Sequence, residues 1–218
     1  GFGMLSSTLA TLLLIPVYTR FLSPAEYGLL EITGVWLAIL GICFGIGMWS
    51  ALFNSIIKHE DITMRKITAG TAILLLIISG GISSLIIVFG LRFFPDLLKD
   101  FNIIYLAILL ILLNGTGILI PVPFAIMRAM EQSKKYLTLS LFGLVITIVF
   151  TFLLVVFVRR NVLGVMEARL LASIGMILLV VPYLCTNARF VFHLKEAKEL
   201  LKFGIPLIPT LLALWVLD

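Results

Sequence analysis

The chain reads as a succession of apolar runs, each closed by a short polar stretch, and several exceed the ~20 residues that a helix needs to cross a membrane. The first runs from Gly1 to about Tyr18, the second from Pro24 to about Phe53, and the third from about Ile67 to Phe94. The fourth covers about Ile103 to Met127, the fifth about Leu137 to Val158 and the sixth about Val162 to Leu184. None alternates apolar and polar residues at a period of two, so the pattern predicts an all-α polytopic membrane protein and argues against a β-barrel. A seventh run opens near Phe203-Gly204, is kinked or delayed by Pro206 and Pro209, and is still apolar as it nears Asp218. Starting at Gly1 without Met and stopping in mid-helix, the sequence is expected to be a fragment of a longer one.

Polar punctuation sharpens these boundaries. Ser23-Pro24-Ala25-Glu26 carries a capping box: Ser23 accepts from the Glu26 amide, Glu26 reaches back, and Pro24 fits the first helical position. The first two spans therefore form a hairpin with a very short turn. Pro95 stops the third span, Pro121 and Pro123 bend or loosen the fourth, and Arg159-Arg160-Asn161 joins the fifth tightly to the sixth. Gly41 and Gly45 make a small-xxx-small pair, read as a helix-packing face. From Arg189 to Lys202 the period changes. Phe190, Leu194, Ala197 and Leu201 fall on one helical face, with Arg189, His193, Glu196, Glu199 and Lys202 on others, which predicts an amphipathic helix lying at the interface. The chain thus divides into a six-span unit at 1–188, an interfacial helix at 189–202 and the start of a further span at 203–218.

Composition excludes a water-soluble fold. Hydrophobic residues make up 61% and charged residues 12%, against roughly 45–50% and 25% in soluble domains, and mean hydropathy is +1.21. The net charge of +5 does not point to nucleic acid, because the basic residues are dispersed among short loops. Ten Lys and Arg fall in the loops after spans two, four and six, and five in the loops after spans one, three and five. That asymmetry places the even loops and the N-terminus in the cytoplasm. All five tyrosines lie near span ends, as an aromatic belt does. Cys43 and Cys185 sit at different depths and read as packing residues. The sequon at Asn114-Gly115-Thr116 lies inside a span, where it cannot be glycosylated.

Three stretches resemble one family. Thr19-Arg20-Phe21-Leu22-Ser23-Pro24-Ala25-Glu26-Tyr27-Gly28 after a first span is similar to the polysaccharide-transporter family, bacterial and archaeal flippases of lipid-linked glycans. Arg128-Ala129-Met130-Glu131 with downstream Tyr136, and Leu201-Lys202-Phe203-Gly204-Ile205-Pro206, resemble the family's motifs after the fourth helix and at the entry to the seventh. One departure is Asn54, where the family often places an Arg. The resemblance implies the first six-helix lobe of a MATE-like two-lobe transporter plus the start of its seventh helix, within the superfamily that also holds multidrug extruders and lipid II flippases. It also implies an alternating-access flippase for a polyprenyl-diphosphate-linked oligosaccharide in the plasma membrane, serving surface polysaccharide such as O-antigen. No enzymatic activity, cofactor or metal is expected; H⁺ or Na⁺ is a possible coupling ion, and membrane lipids and glycan polymerase machinery are possible partners.

Such a substrate has an anionic, hydrated head, and a charge at the bilayer centre costs ~2.5–3.5 kcal/mol on insertion scales. The charged residues in or beside the spans are therefore the candidates for substrate contact. Glu31, two turns into the second span, should face a cavity or another helix. Arg128, closing the fourth span, could meet a diphosphate as a planar fork or serve as an orientation anchor. Arg169, near Glu167, could contact substrate or snorkel to the interface, and Arg20 could be an outer gate or a turn residue. Glu26 is assigned to the cap, and His59 and His193 to no metal or pH role. Competing readings are a cation-coupled multidrug exporter, for which Glu31 is the one carboxylate deep enough, and a lipid II transporter, which would carry charges in the first span. A membrane-embedded glycosyltransferase or polymerase would have to use Asp96 and Asp100, and a structural scaffold would not explain intramembrane charges.

Overall fold

The computed structural model describes residues 14–16, 18–93, 102–158 and 161–217. Among these residues all regular structure is helical. The helices are α1 (Pro24–Gly45), α2 (Met48–Lys58), α3 (Ile62–Leu91), α4 (Ile103–Leu119), α5 (Pro121–Ala129) and α6 (Ser133–Thr151), the last continuing as a π-helical turn, Phe152–Phe157. Then come α7 (Asn161–Asn187), α8 (Leu194–Gly204) and α9 (Leu207–Leu217). Five helical segments, 24–58, 62–91, 103–129, 133–157 and 162–187, are long and apolar enough to span a membrane. The pair α8 and α9, bent by 40°, makes a sixth if counted as one. Most of the first expected span lies outside the described residues, as do Asp96, Asp100, Arg159 and Arg160.

The capping box forms as the sequence predicts. The Glu26 amide donates to Ser23 Oγ at 3.3 Å and the Ser23 amide donates to Glu26 Oε2 at 2.8 Å. Two orphan donors of α1 are satisfied reciprocally. Replacing Ser23 by Ala is expected to cost about 1 kcal/mol, read as a lower melting temperature of the solubilised protein; an unchanged temperature would make the cap redundant.

Two of the long spans are broken. The second does not continue unbroken to Phe53, because Ile46 and Gly47 both adopt left-handed backbone, at φ 52° and 53°. For Gly47 this is cheap; for β-branched Ile46 it is strained. The fourth breaks at Ile120, since Pro121 and Pro123 lack the amides that would bond one turn back. Gly41 and Gly45 correct the sequence reading. A Cβ at either would meet nothing within 4 Å, so they border open space instead of a tight helix contact.

Close approach occurs elsewhere, along the segment from Ala188 onward. Residues 188–193 are not helical, so the expected amphipathic helix starts at Leu194. This linker lies across α3: the Arg189 amide donates to the Lys66 carbonyl at 2.8 Å. Thr71 Oγ donates to the Val191 carbonyl at 3.1 Å and accepts from the His193 amide at 3.2 Å. Gly70 is what permits it, since a Cβ there would sit 1.7 Å from the Arg189 carbonyl oxygen. The buried face of α8 is Glu196, Ala197, Leu200 and Gly204, while Phe190 and Leu194 are exposed. Gly204 rests on the α1–α2 break, where a Cβ would lie 2.1 Å from the Ile46 carbonyl oxygen.

Apolar packing forms two clusters. One joins Leu29, Leu40, Leu106, Val155 and Val165; the other joins Leu52, Leu76, Ile126 and Leu200. The exterior is also apolar, with Leu85, Phe89, Ile104 and Leu178 among many exposed large side chains. Solvent-facing helices would not tolerate that, whereas lipid-facing ones require it. The chain is a multi-pass membrane protein.

Candidate functional site

Arg128 ends α5, and α5 packs on α2, where Trp49 and Phe53 stand one turn apart. The guanidinium carbon lies 4.9 Å from the Phe53 ring centroid and 6.0 Å from that of Trp49. Two rings thus hold an exposed cation by its π-facing surface, which leaves its N–H edge for other acceptors. No carboxylate pairs with Arg128 among the described residues. Lys135 stacks similarly on Tyr183 at 5.5 Å.

Trp49 has a second role. It lines a cavity of about 160 Å³ with Gly41, Gly45, Gly117, Pro121 and Leu211, among others. The α1–α2 and α4–α5 breaks border this space, and glycines keep it open. The sequence reading missed Trp49 and Phe53. Their spacing of four on one helix was visible, but nothing in the sequence tied them to an Arg on another span.

The remaining candidates are elsewhere. Glu31 is exposed on α1 and interacts with the Tyr27 hydroxyl one turn earlier. Arg169 is half-buried on α7, two residues from Glu167, which accepts a hydrogen bond from the Tyr105 hydroxyl of α4. Arg20 is exposed ahead of the capping box. No hydrogen bond or ion pair joins Glu31, Arg128, Arg169 and Arg20 to one another among the described residues, and Arg128 belongs to the end of the bundle opposite the α1 N-terminus.

Two buried polar groups were also unforeseen. Asn114, 3% exposed within α4, donates to Ser83 Oγ of α3, and its own carbonyl oxygen has no partner among the described residues. Glu196, 1% exposed, accepts from Thr68 Oγ at 2.7 Å and pairs with His59 Nε2 at 3.0 Å. Burial opposes ionisation of Glu196, but the hydrogen bonds from Thr68 and His59 and the nearby charges of His59 and His193 outweigh it, holding the carboxyl below its ordinary range.

A sequence model of a family described as polysaccharide biosynthesis protein matches residues 17–217. The chain belongs to that family. Among solved structures, this family member is similar to a Pyrococcus furiosus transporter of the MOP superfamily whose binding pocket is described as reversed in polarity (19% identity, TM-score 0.79, 98% of this chain and 51% of that one). It is also similar to an outward-facing multidrug resistance MATE transporter of the same superfamily (19% identity, TM-score 0.70, 98% and 51%). A third match is the Vibrio cholerae MATE transporter VcmN in its bent form (17% identity, TM-score 0.69, 99% and 53%). No curated protein matches the sequence significantly. The polysaccharide biosynthesis family chain therefore has the MATE-like fold, and it spans about half the length of the transporters it resembles.

Proposed function

We propose that the chain is the first lobe of a transporter that carries a polyprenyl-diphosphate-linked oligosaccharide from the cytoplasmic to the outer leaflet by alternating access, for surface polysaccharide synthesis. The observation that carries this reading is Arg128, stacked on Trp49 and Phe53 and free of any carboxylate among the described residues. A guanidinium held in that way presents parallel N–H groups to two phosphate oxygens without reorganising. Lys134 and Lys135 add positive charge nearby against Glu131 alone. The family match supplies the glycan context. On this reading the even loops face the cytoplasm, where the ten basic residues lie.

Glu31 with Tyr27 offers a carboxylate and a ring, chemistry suited to sugar hydroxyls; Arg169 and Arg20 supply basic groups. The same pair favours a second reading, a cation-coupled drug exporter, because a carboxylate beside an aromatic face also binds organic cations.

Native mass spectrometry of the gently extracted full-length protein separates the two. A co-purifying polyprenyl diphosphate glycan, lost from Arg128→Gln and reduced in Glu31→Gln, is the expected result. Ordinary phospholipids only, with retained small organic cations that depend on Glu31, would overturn it in favour of the exporter.

A further inference from the structure

We propose that the cavity beside Trp49 seats the first isoprenyl unit of the lipid carrier, while Arg128 holds its diphosphate. This deepens the transporter reading above and rests on it for the identity of the lipid.

The geometry joins two unlike environments through one side chain. Trp49 both lies within 6.0 Å of the Arg128 guanidinium and lines the cavity. A ligand filling both must be an amphiphile with an anionic head and an apolar group directly attached. Size agrees: the cavity measures about 160 Å³, close to the roughly 150 Å³ that accommodates a benzene molecule in an apolar protein site. That suits a five-carbon branched unit and is too small for a sugar ring with its hydration. Composition agrees too, since the walls contributed by Ile42, Met48, Leu76, Ile118, Val122 and Leu211 offer no charged group.

In a bilayer the tail is already surrounded by hydrocarbon, so the cavity gains little from the hydrophobic effect. Its contribution is selection. A well-filled cavity rewards shape through dispersion contacts, and a branched isoprenyl group fills a compact space that a linear acyl chain leaves partly empty. The cavity would thereby distinguish a prenyl carrier from the phospholipids that outnumber it.

The glycines make the test clean. A Cβ at Gly45 or Gly117 meets nothing within 4 Å, so Leu at either position can extend into the space instead of displacing backbone. Binding of farnesyl diphosphate and of inorganic diphosphate to the full-length protein in nanodiscs is measured for the unaltered chain, Gly45→Leu, Gly117→Leu, Arg128→Gln and, as a control outside the cavity lining, Gly80→Ala, where a Cβ meets nothing within 4 Å. Comparing variants in one membrane cancels the partitioning of the probe. Farnesyl diphosphate is expected to bind at least tenfold more weakly to either Leu variant, with inorganic diphosphate unchanged and Gly80→Ala close to the parent. Arg128→Gln should lose both probes. Farnesyl diphosphate binding within twofold of the parent in both Leu variants would overturn the seat. Loss of both probes in the Leu variants with Gly80→Ala unaffected would also overturn it, because the cavity would then act on the head and not the tail. If the Leu variants behave as expected yet no glycan lipid co-purifies from cells, the seat stands and the glycan-transport reading falls.

Discussion

Replacing Gly70 by Val unseats the linker from α3 and destabilises the protein by about 3 kcal/mol or more, the upper end of what overpacking costs. The added Cβ would stand 1.7 Å from the Arg189 carbonyl oxygen and 3.1 Å from the Phe190 amide. Both neighbours are backbone, so relief requires moving the strand of chain that Lys66 and Thr71 hold. Gly80→Ala serves as the control, since a Cβ there meets nothing within 4 Å. Thermal melts of the purified full-length protein should show a large drop for Gly70→Val, a smaller one for Gly70→Ala and little change at Gly80. Limited proteolysis should cut the linker near Arg189 in the Gly70 variants first. A Gly70→Val protein that melts with the parent would show that the linker does not dock there.

Glu196→Ala should cost about 1.5–3 kcal/mol, the worth of hydrogen bonds to a charged group, because it removes the acceptor shared by Thr68 and His59; Thr68 keeps the Met64 carbonyl at 2.9 Å and the partly exposed His59 can turn to water, which holds the cost to that range. A double-mutant cycle with His59→Ala isolates the pair: the two changes together should cost clearly less than their sum. Additivity would mean that the 3.0 Å contact carries no energy. The sign of the pH dependence follows from the depressed carboxyl. Its contribution is complete above the unfolded value and is lost only as pH falls through the lower folded value. Near neutral pH, then, Glu196 stays ionised and the contact holds; melting temperature should become sensitive to Glu196→Gln only through loss of charge, and the gap between the two proteins should close in the acid range.

Much of the architecture was legible because bilayer thickness imposes a length that hydropathy records directly. The helix start at Ser23 was legible because a capping box is local, and the fourth span's break because proline removes a named donor. The break at Ile46–Gly47 was not, since an isolated glycine in an apolar run is common and Ile is an improbable left-handed residue. Gly41 and Gly45 were misread for a related reason: a small-residue spacing says that space is left, not what fills it. Glu196 looked like a solvated face residue because its partners, His59 and Thr68, are well over a hundred positions away. In the candidate site, Arg128 drew attention by charge and position alone; the rings that hold it were hidden by lying on a different span.

Between Gly204, fixed against the Ile46 carbonyl, and Leu207, where α9 begins at a 40° bend, the chain has only Ile205 and Pro206. A joint this short, next to a helix pinned at its buried face, is a fulcrum and not a tether. A change in the angle between α8 and α9 is therefore a tilt about that point and not a sliding of one helix past the other. Such a tilt would bear on the Ile46 carbonyl, where the second span is already broken.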